Sequence, residues 1–216
     1  MTQVACLEVS PFAENTYVVY DSTGEAALVD PGCYTSAECD WLVRTVEQLQ
    51  VRPKRMLLTH AHLDHVFGVA FVYRRWGLLP ECHRNELPLL KRYPDICVFY
   101  GLPRPEPAPL PTRFLQEGET ITFGQTQLEV RFTPGHSPGG LSFYCPEAGF
   151  VLAGDTLFYE SIGRTDLPGG HFETLLESIR KQLFTLPDET KVYSGHGPAT
   201  TIRHEREHNP FLRLPP

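Results

Sequence analysis

The chain has 216 residues, of which 41% are hydrophobic, and carries a formal net charge of −7 at pH 7, as expected of one globular domain spanning 1–216. The acidic balance argues against a nucleic-acid or anionic-membrane partner, since both need clustered Lys and Arg, but it allows a small anionic substrate. Six scattered cysteines without a C-x-x-C pair, and an N-terminus without a signal or anchor pattern, predict a cytoplasmic protein.

The first half of the chain reads as strands alternating with helices. The predicted elements are strands at 16–20, 25–30 and 55–59 and helices at 36–50 and 66–76. A turn at 22–24 separates the first two strands, and the second strand ends at Asp-Pro-Gly (30–32). Thr35 followed by Glu38 is a capping-box pattern, which indicates where the first helix begins.

The second half opens with a proline-rich segment, 101–113, which predicts a rigid loop because proline disrupts both helices and central strands. The predicted elements after it are strands at 120–123, 126–132, 141–145, 150–153 and 191–196 and a helix at 172–184. Strands followed by helices, twice over, predict two sheets packed back to back with helices outside.

Three histidines and an aspartate fall within the six positions HAHLDH (60–65), directly after a predicted buried strand. In an extended segment, His60 and His62 face the same side and can reach one point. Asp64 and His65 follow one turn later and can serve a second point nearby. The motif therefore predicts metal ligation rather than isolated surface histidines.

Three further residues, His136, Asp155 and His196, each follow an apolar stretch and are flanked by small or turn-forming residues. Imidazole and carboxylate ligands suit zinc, iron or manganese. Seven candidate ligands exceed what one four-coordinate ion needs, so they predict two divalent ions, zinc foremost, that share Asp155. The expected grouping is His60, His62 and His136 on the first ion and Asp64, His65 and His196 on the second.

The motifs HAHLDH, TPGHSPGG, AGDT and SGHGP, in this order, resemble the metallo-β-lactamase superfamily over nearly the whole chain. The resemblance implies an α/β fold, the four-layer αββα sandwich, with metals bound at one edge. It assigns the family's ligand roles to the same seven residues. Dinuclear β-lactamases usually differ at the second metal, where they lack His65 or carry cysteine in place of Asp155.

The stretch GDTLFYESIGRTDLPGG (154–170) is similar to the glyoxalase II-like branch, which comprises the hydroxyacylglutathione hydrolases and their short bacterial relatives. The segments SPFAENTYVVYD and GHGPATTIRHEREHNPFL also resemble those short relatives. Full-length glyoxalase II carries a helical C-terminal domain that supplies much of its glutathione site. Only 20 residues follow His196 here, so we do not expect the glutathione contacts of that domain.

The resemblance implies a metal-dependent hydrolase whose partner is a small-molecule thioester. A metal-generated hydroxide is expected to attack the thioester carbonyl, while Asp64 orients this nucleophile and accepts its proton. Substrate contacts are expected from Arg164, His83, Arg104 and Arg113. For Arg164 the competing interpretation is a salt bridge to Asp166, and for His83 it is a structural role.

A second enzymatic interpretation is a persulfide dioxygenase, because GRTD (163–166) is also similar to that branch. That branch uses a single iron held by two histidines and an aspartate, which would correspond to His60, His136 and Asp155. Such a triad leaves positions open for O₂. A third, non-enzymatic interpretation is a metal-binding scaffold, which would need an occluded site that nothing in the sequence indicates.

Overall fold

Two β-sheets packed face to face between helices form the computed structural model, which describes residues 1–212. Three buried apolar clusters hold these layers together. One lies between the first sheet and its helices, one between the sheets, and one between the second sheet and its helices. This is the expected αββα sandwich. Within residues 1–212, no helix has the length and apolar character needed to cross a bilayer.

The first sheet has five strands in their order along the chain. They are β1 (Gln3–Val9), β2 (Glu14–Tyr20), β3 (Glu25–Val29), β4 (Arg52–Leu57) and β5 (Pro80–Glu81). The predicted strands at 16–20, 25–30 and 55–59 correspond to β2, β3 and β4. β1 was not predicted, because it lies at the sheet edge and buries only Leu7 and Val9.

Four helices cover the outer face of this sheet. They are α1 (Ser36–Gln48), α2 (Leu63–Val66), α3 (Val69–Trp76) and α4 (Leu87–Phe99). The capping box is confirmed, since the Glu38 N–H donates to the Thr35 hydroxyl and the Thr35 N–H donates to the Glu38 carboxylate. α4 was not predicted, because Pro94 lies inside it and weakens its helical pattern.

The single helix predicted at 66–76 is wrong at its start, since α2 ends at Val66 and α3 begins at Val69. The break follows from Gly68, which packs tightly against the loop after β3. A Cβ atom on Gly68 would lie 2.3 Å from Cys33 Sγ and 2.8 Å from the Pro31 carbonyl oxygen. The Gly68 N–H donates to that oxygen at 2.8 Å, so tertiary contact replaces a continuous helix.

The second sheet holds six strands in the order β6–β7–β8–β9–β12–β13, while β10 and β11 form a separate hairpin. The strands are β6 (Thr120–Phe123), β7 (Thr126–Phe132), β8 (Leu141–Cys145), β9 (Phe150–Gly154), β10 (Leu157–Phe158), β11 (Ser161–Ile162), β12 (Lys191–Ser194) and β13 (Thr200–Thr201). The predictions at 120–123, 126–132 and 141–145 are confirmed. The predicted strand 191–196 ends at Ser194, which leaves His196 in the following loop.

The helical layer on this sheet contains α5 (Phe172–Ser178), a π-helical turn (Ile179–Leu183) and α6 (Ile202–His208). The helix predicted at 172–184 is therefore α-helical only in its first half, although Leu175, Ile179 and Leu183 are all buried. The proline-rich segment 101–113 contains neither helix nor strand, as predicted.

Candidate metal centre

The seven predicted ligands meet at one edge of the sandwich, although they come from distant parts of the chain. His60 and His62 follow β4, Asp64 and His65 lie on α2, His136 follows β7, Asp155 follows β9 and His196 follows β12. Two sets of three have all their ligand atoms within 4.8 Å of one another: His60, His62 and His136 form the first group, and Asp64, His65 and His196 form the second. Asp30, His60 and His65 form a third such set, so the two groups adjoin through His60 and His65. This is the grouping expected from the sequence.

In the first group, the inward-facing ring nitrogens of His60 and His136 carry lone pairs. His136 Nε2 lies 3.2 Å from His60 Nε2 and 2.8 Å from His62 Nδ1. The outer nitrogen of His136 donates to the Arg164 carbonyl oxygen at 2.7 Å. His60 Nδ1 lies 3.0 Å from the Thr59 hydroxyl, which is already committed as a donor elsewhere, so the ring must donate to it. The inner nitrogens of His60 and His136 are therefore acceptors without a proton.

In the second group, the Asp64 carboxylate lies near the imidazoles of both His65 and His196. His196 Nε2 lies 3.2 Å from Asp64 Oδ2, and His65 Nε2 lies 3.9 Å from the same oxygen. The outer nitrogen of His196 lies 3.1 Å from the carbonyl oxygens of Phe12 and Ala13, so it carries the proton and leaves Nε2 facing inward.

Asp155 lies between the two groups. Its Oδ1 atom is 3.3 Å from His65 Nε2, and its Oδ2 atom is 3.4 Å from His136 Nε2 and 3.5 Å from His196 Nε2. Gly195 makes this approach possible, because a Cβ atom there would lie 2.1 Å from Asp155 Oδ1. One carboxylate can thus serve both groups.

These residues fit a pair of cations. Among residues 1–212, His65 Nε2 and Asp155 Oδ1 are buried and lie 3.3 Å apart, but neither has a partner with hydrogen-bond geometry, although buried polar atoms in proteins are normally paired. Inward-facing lone pairs on His60 and His136 repel one another unless a positive charge lies between them. Nitrogen and oxygen donors without cysteine suit a catalytic divalent ion.

The charges of the two groups differ. Burial, followed by the neighbouring His136, lowers the pKa of His62 to about 3, so this imidazole is neutral. Burial also opposes a charge on His196, but hydrogen bonds to Asp155 and Asp64 raise the pKa of His196 to about 10. The carboxylates of the second group therefore favour a positive charge there, whether it is a proton or a metal ion.

Asp30 supports this centre and was not singled out by the sequence. Its carboxylate accepts hydrogen bonds from the Thr59 N–H at 2.7 Å and the Thr59 hydroxyl at 2.6 Å, and lies 3.1 Å from His65 Nδ1. Its φ of 48° is uncommon for a residue other than glycine. The signal in the sequence is an acid directly after the apolar strand β3, but the Asp-Pro-Gly pattern there indicates only a chain break.

Glu86 is a second supporting residue that the sequence did not indicate. Its side chain is fully buried and accepts hydrogen bonds from the Ala61 N–H at 2.7 Å and the Gly139 N–H at 2.6 Å. Burial raises the pKa of Glu86, while these N–H groups counteract that effect. One carboxylate thereby connects the loop of His60 and His62 to the loop of His136.

Arg164 contacts the centre through its main chain and not through its side chain. Its carbonyl oxygen orients His136, while its guanidinium makes two hydrogen bonds of 2.7 Å to the exposed carboxylate of Asp166. The salt bridge considered for Arg164 is therefore present. Substrate contact by this guanidinium stays a prediction and would require the ion pair to open.

The other three predicted substrate residues also have protein partners. Arg104 pairs with Asp95, Arg113 pairs with Glu81 and Glu119, and His83 packs against Phe132 and accepts a hydrogen bond from the Asn85 N–H. The Arg104–Asp95 pair is exposed on both sides, and such pairs are weak, typically below about 1 kcal/mol, so a substrate anion can compete for Arg104. Their substrate role stays a prediction.

Comparison with known proteins identifies the chain's relatives. The model of the metallo-beta-lactamase superfamily matches residues 9–196. The hydroxyacylglutathione hydrolase GloC of Haemophilus influenzae is 36% identical over 211 residues, which cover 97% of each chain.

Two solved structures are similar over nearly their whole length. TTHA1623 in a di-iron-bound form is 39% identical with a TM-score of 0.86, and the match covers 96% of this chain and 100% of that one. The B3 metallo-beta-lactamase BLEG-1 is 36% identical with a TM-score of 0.87, and the match covers 97% and 99%. The chain therefore belongs to the metallo-β-lactamase superfamily.

Proposed function

We propose that the protein is a metal-dependent hydrolase of small thioesters, with a reaction like that of the hydroxyacylglutathione hydrolases. The observation that carries the proposal is the convergence of five imidazoles and two carboxylates into two groups that share Asp155. Membership of the superfamily and the similarity to GloC support a metal-dependent hydrolase. The thioester class is our inference from the glyoxalase II-like motifs.

We propose two divalent ions. The first is assigned to His60, His62 and His136, the second to Asp64, His65 and His196, and Asp155 contributes to both. Zinc is the first choice because the donors are imidazoles and carboxylates, which also suit iron and manganese. The di-iron form of TTHA1623 is a reason to test iron alongside zinc.

When bound, such ions supply a hydroxide nucleophile at neutral pH and polarise a carbonyl oxygen. The chain's own contribution centres on Asp64, whose largely buried carboxylate lies 3.2 Å from His196 Nε2 and so has a fixed orientation. It orients the attacking water and accepts its proton. The leaving thiol has a pKa of about 8.5, so it departs as a thiolate without a strong general acid.

A small-molecule thioester is the proposed partner, and the cytoplasm is the proposed location. The formal charge of −7 gives no reason to propose a nucleic-acid or membrane partner.

The test combines elemental analysis of the untreated protein with a panel of glutathione thioesters, coenzyme A thioesters and a β-lactam. We expect about two metal ions per chain and thioester hydrolysis that a chelator abolishes and added metal restores. His136→Ala should lose both metal and activity, whereas His208→Ala, which removes an exposed imidazole outside both groups, should keep both. A metal-loaded protein that hydrolyses no thioester would refute the proposal.

The same samples test the persulfide dioxygenase interpretation. One iron per chain, together with oxygen uptake that depends on glutathione persulfide, would favour it over thioester hydrolysis. Turnover of the β-lactam alone would instead indicate an activity like that named for BLEG-1.

A further inference from the structure

Two cysteines outside the metal centre are in direct contact. Cys33 lies in the loop after β3 and Cys39 in the first turn of α1, and their Sγ atoms are 3.4 Å apart. Cys33 is 2% exposed, whereas Cys39 is only partly buried. A disulfide bond is about 2.05 Å long, so the two sulfur atoms need to approach by only about 1.4 Å.

The pair borders a cavity of about 340 Å³ between α1 and α3. The lining includes Cys33, Cys39, Tyr34, Phe67, Arg74 and Glu106. None of the seven predicted metal ligands lines it, so this cavity is separate from the metal centre. Its volume is within the range of cavities that bind small molecules.

We propose that Cys33 and Cys39 form a reactive dithiol that low-molecular-weight disulfides oxidise to an intramolecular disulfide. Both cysteines line the cavity, but Cys39 is the more exposed of the two, since Cys33 is only 2% exposed. Cys39 also lies at the N-terminal end of a thirteen-residue helix, where the helix dipole stabilises a thiolate. Hydrogen bonding between the two thiols lowers the pKa of Cys39, although partial burial opposes this. The same hydrogen bond, together with burial, raises the pKa of Cys33, so Cys39 is the first of the two to ionise.

The reaction has two steps. The Cys39 thiolate attacks one sulfur of the disulfide RSSR, the S–S bond breaks, and the released RS⁻ takes up the proton that Cys39 lost. The Cys33 thiolate then attacks Cys39 Sγ in the mixed disulfide, and the second RS⁻ leaves and takes up the proton of Cys33. The protein loses two electrons and two protons, and RSSR becomes two molecules of RSH.

The order of attack follows from burial. An external disulfide can reach Cys39 but not Cys33, whereas Cys33 is already in contact with the sulfur that it must attack. The mixed disulfide should therefore be short-lived whenever Cys33 is present.

The test uses the metal-loaded protein in a Cys6→Ser background, which removes the exposed Cys6 thiol. The protein is incubated with glutathione disulfide, its remaining thiols are alkylated, and it is digested with a glutamate-specific protease. Cleavage after Glu38 places the two cysteines on separate peptides, 26–38 and 39–47, that only the new bond can join. We expect the joined peptides, a loss of two hydrogens in the intact mass, and full reversal by dithiothreitol.

Two variants separate the roles. Cys33→Ser should stop at a glutathione adduct on Cys39, and Cys39→Ser should react at least tenfold more slowly. Cys33→Ala replaces Cys33→Ser if the serine variant has a lower melting temperature. A stable glutathione adduct in the protein that retains both cysteines, or no reaction at Cys39, would overturn the proposal.

Discussion

Single residues of the metal centre are fixed by what their outer atoms bind. His136 and His196 each direct one ring nitrogen to a main-chain carbonyl, which leaves the other nitrogen for the centre. Asp64 is held differently, because its carboxylate lies 3.2 Å from His196 Nε2, whose own outer nitrogen is fixed by a main-chain carbonyl. This orientation directs the Asp64 carboxylate into the centre, where we propose that it interacts with a reacting water.

Asp64→Asn tests this role directly. The amide keeps the size of the side chain but cannot accept a proton, so we expect thioester turnover to fall roughly 100-fold or more. The first metal group does not involve this residue and should keep its ion. Turnover and metal content are measured together, with Asp40→Asn on the exposed face of α1 as the control. An unchanged turnover would contradict the role assigned to Asp64.

Gly195→Ala tests the tight packing around Asp155. The added methyl group would lie 2.1 Å from Asp155 Oδ1 and 2.8 Å from His65 Cε1, so the carboxylate must move. We expect metal content to fall to half or less. Gly77→Ala is the control. Alanine at its φ of 70° should lower stability by about 1 kcal/mol, but the added methyl group meets no atom within 4 Å, so metal content should not change. Equal metal content in both variants would show that Gly195 does not constrain the centre.

Individual helices and strands differ in how far the sequence predicts them. α1 was predictable because Thr35 and Glu38 determine its start through local hydrogen bonds. The break between α2 and α3 was not predictable, because it depends on the packing of Gly68 against Cys33 and Pro31, which are distant in sequence. The ligand motifs were recognisable because each is short and follows a strand. Glu86 was not recognisable, because its partners Ala61 and Gly139 are brought to it only by the complete fold.

Glu86→Gln tests the connection between the two ligand loops. The carboxylate accepts from two buried N–H groups, and an amide has only one oxygen to offer them. Leaving one donor unpaired should lower the free energy of unfolding by about 1–3 kcal/mol. Metal affinity should fall roughly 10- to 100-fold, because both histidine loops lose a restraint. Denaturation with urea and metal titration measure the two effects, and Glu207→Gln on the exposed side of α6 should change neither.

The molecule as a whole is held together by polar contacts between the sheets as well as by its core. Asp21, in the turn between β2 and β3, accepts hydrogen bonds from Gln125 in the β6–β7 turn and from Thr126 at the start of β7, at 2.7–2.9 Å. Burial alone would raise the pKa of Asp21, but these bonds and those from Thr23 lower it to about 2. The folded state therefore favours the ionised form more strongly than the unfolded state does.

This difference predicts an acid-dependent loss of stability. The unfolded pKa of an aspartate is about 3.9, so the contribution of Asp21 is complete above that pH and disappears as the pH falls towards 2. Asp21→Asn should lower the free energy of unfolding by about 2 kcal/mol at pH 7. The gap between the two proteins should shrink on acidification from pH 5 to pH 2. Urea denaturation across this range measures it, and a gap independent of pH would contradict the assignment.

The dispersal of the ligands along the chain has a consequence for biogenesis. The ribosome makes the four ligands at 60–65 long before it makes Asp155 and His196. The early ligands follow β4 of the first sheet, whereas Asp155 and His196 follow strands of the second sheet. An incomplete nascent chain therefore contains only some of the predicted ligands, and Asp155, the carboxylate between the two groups, is among the last to be made. The proposed metal centre is therefore complete only after the two sheets have docked, and we expect full metal loading only in chains that have finished folding.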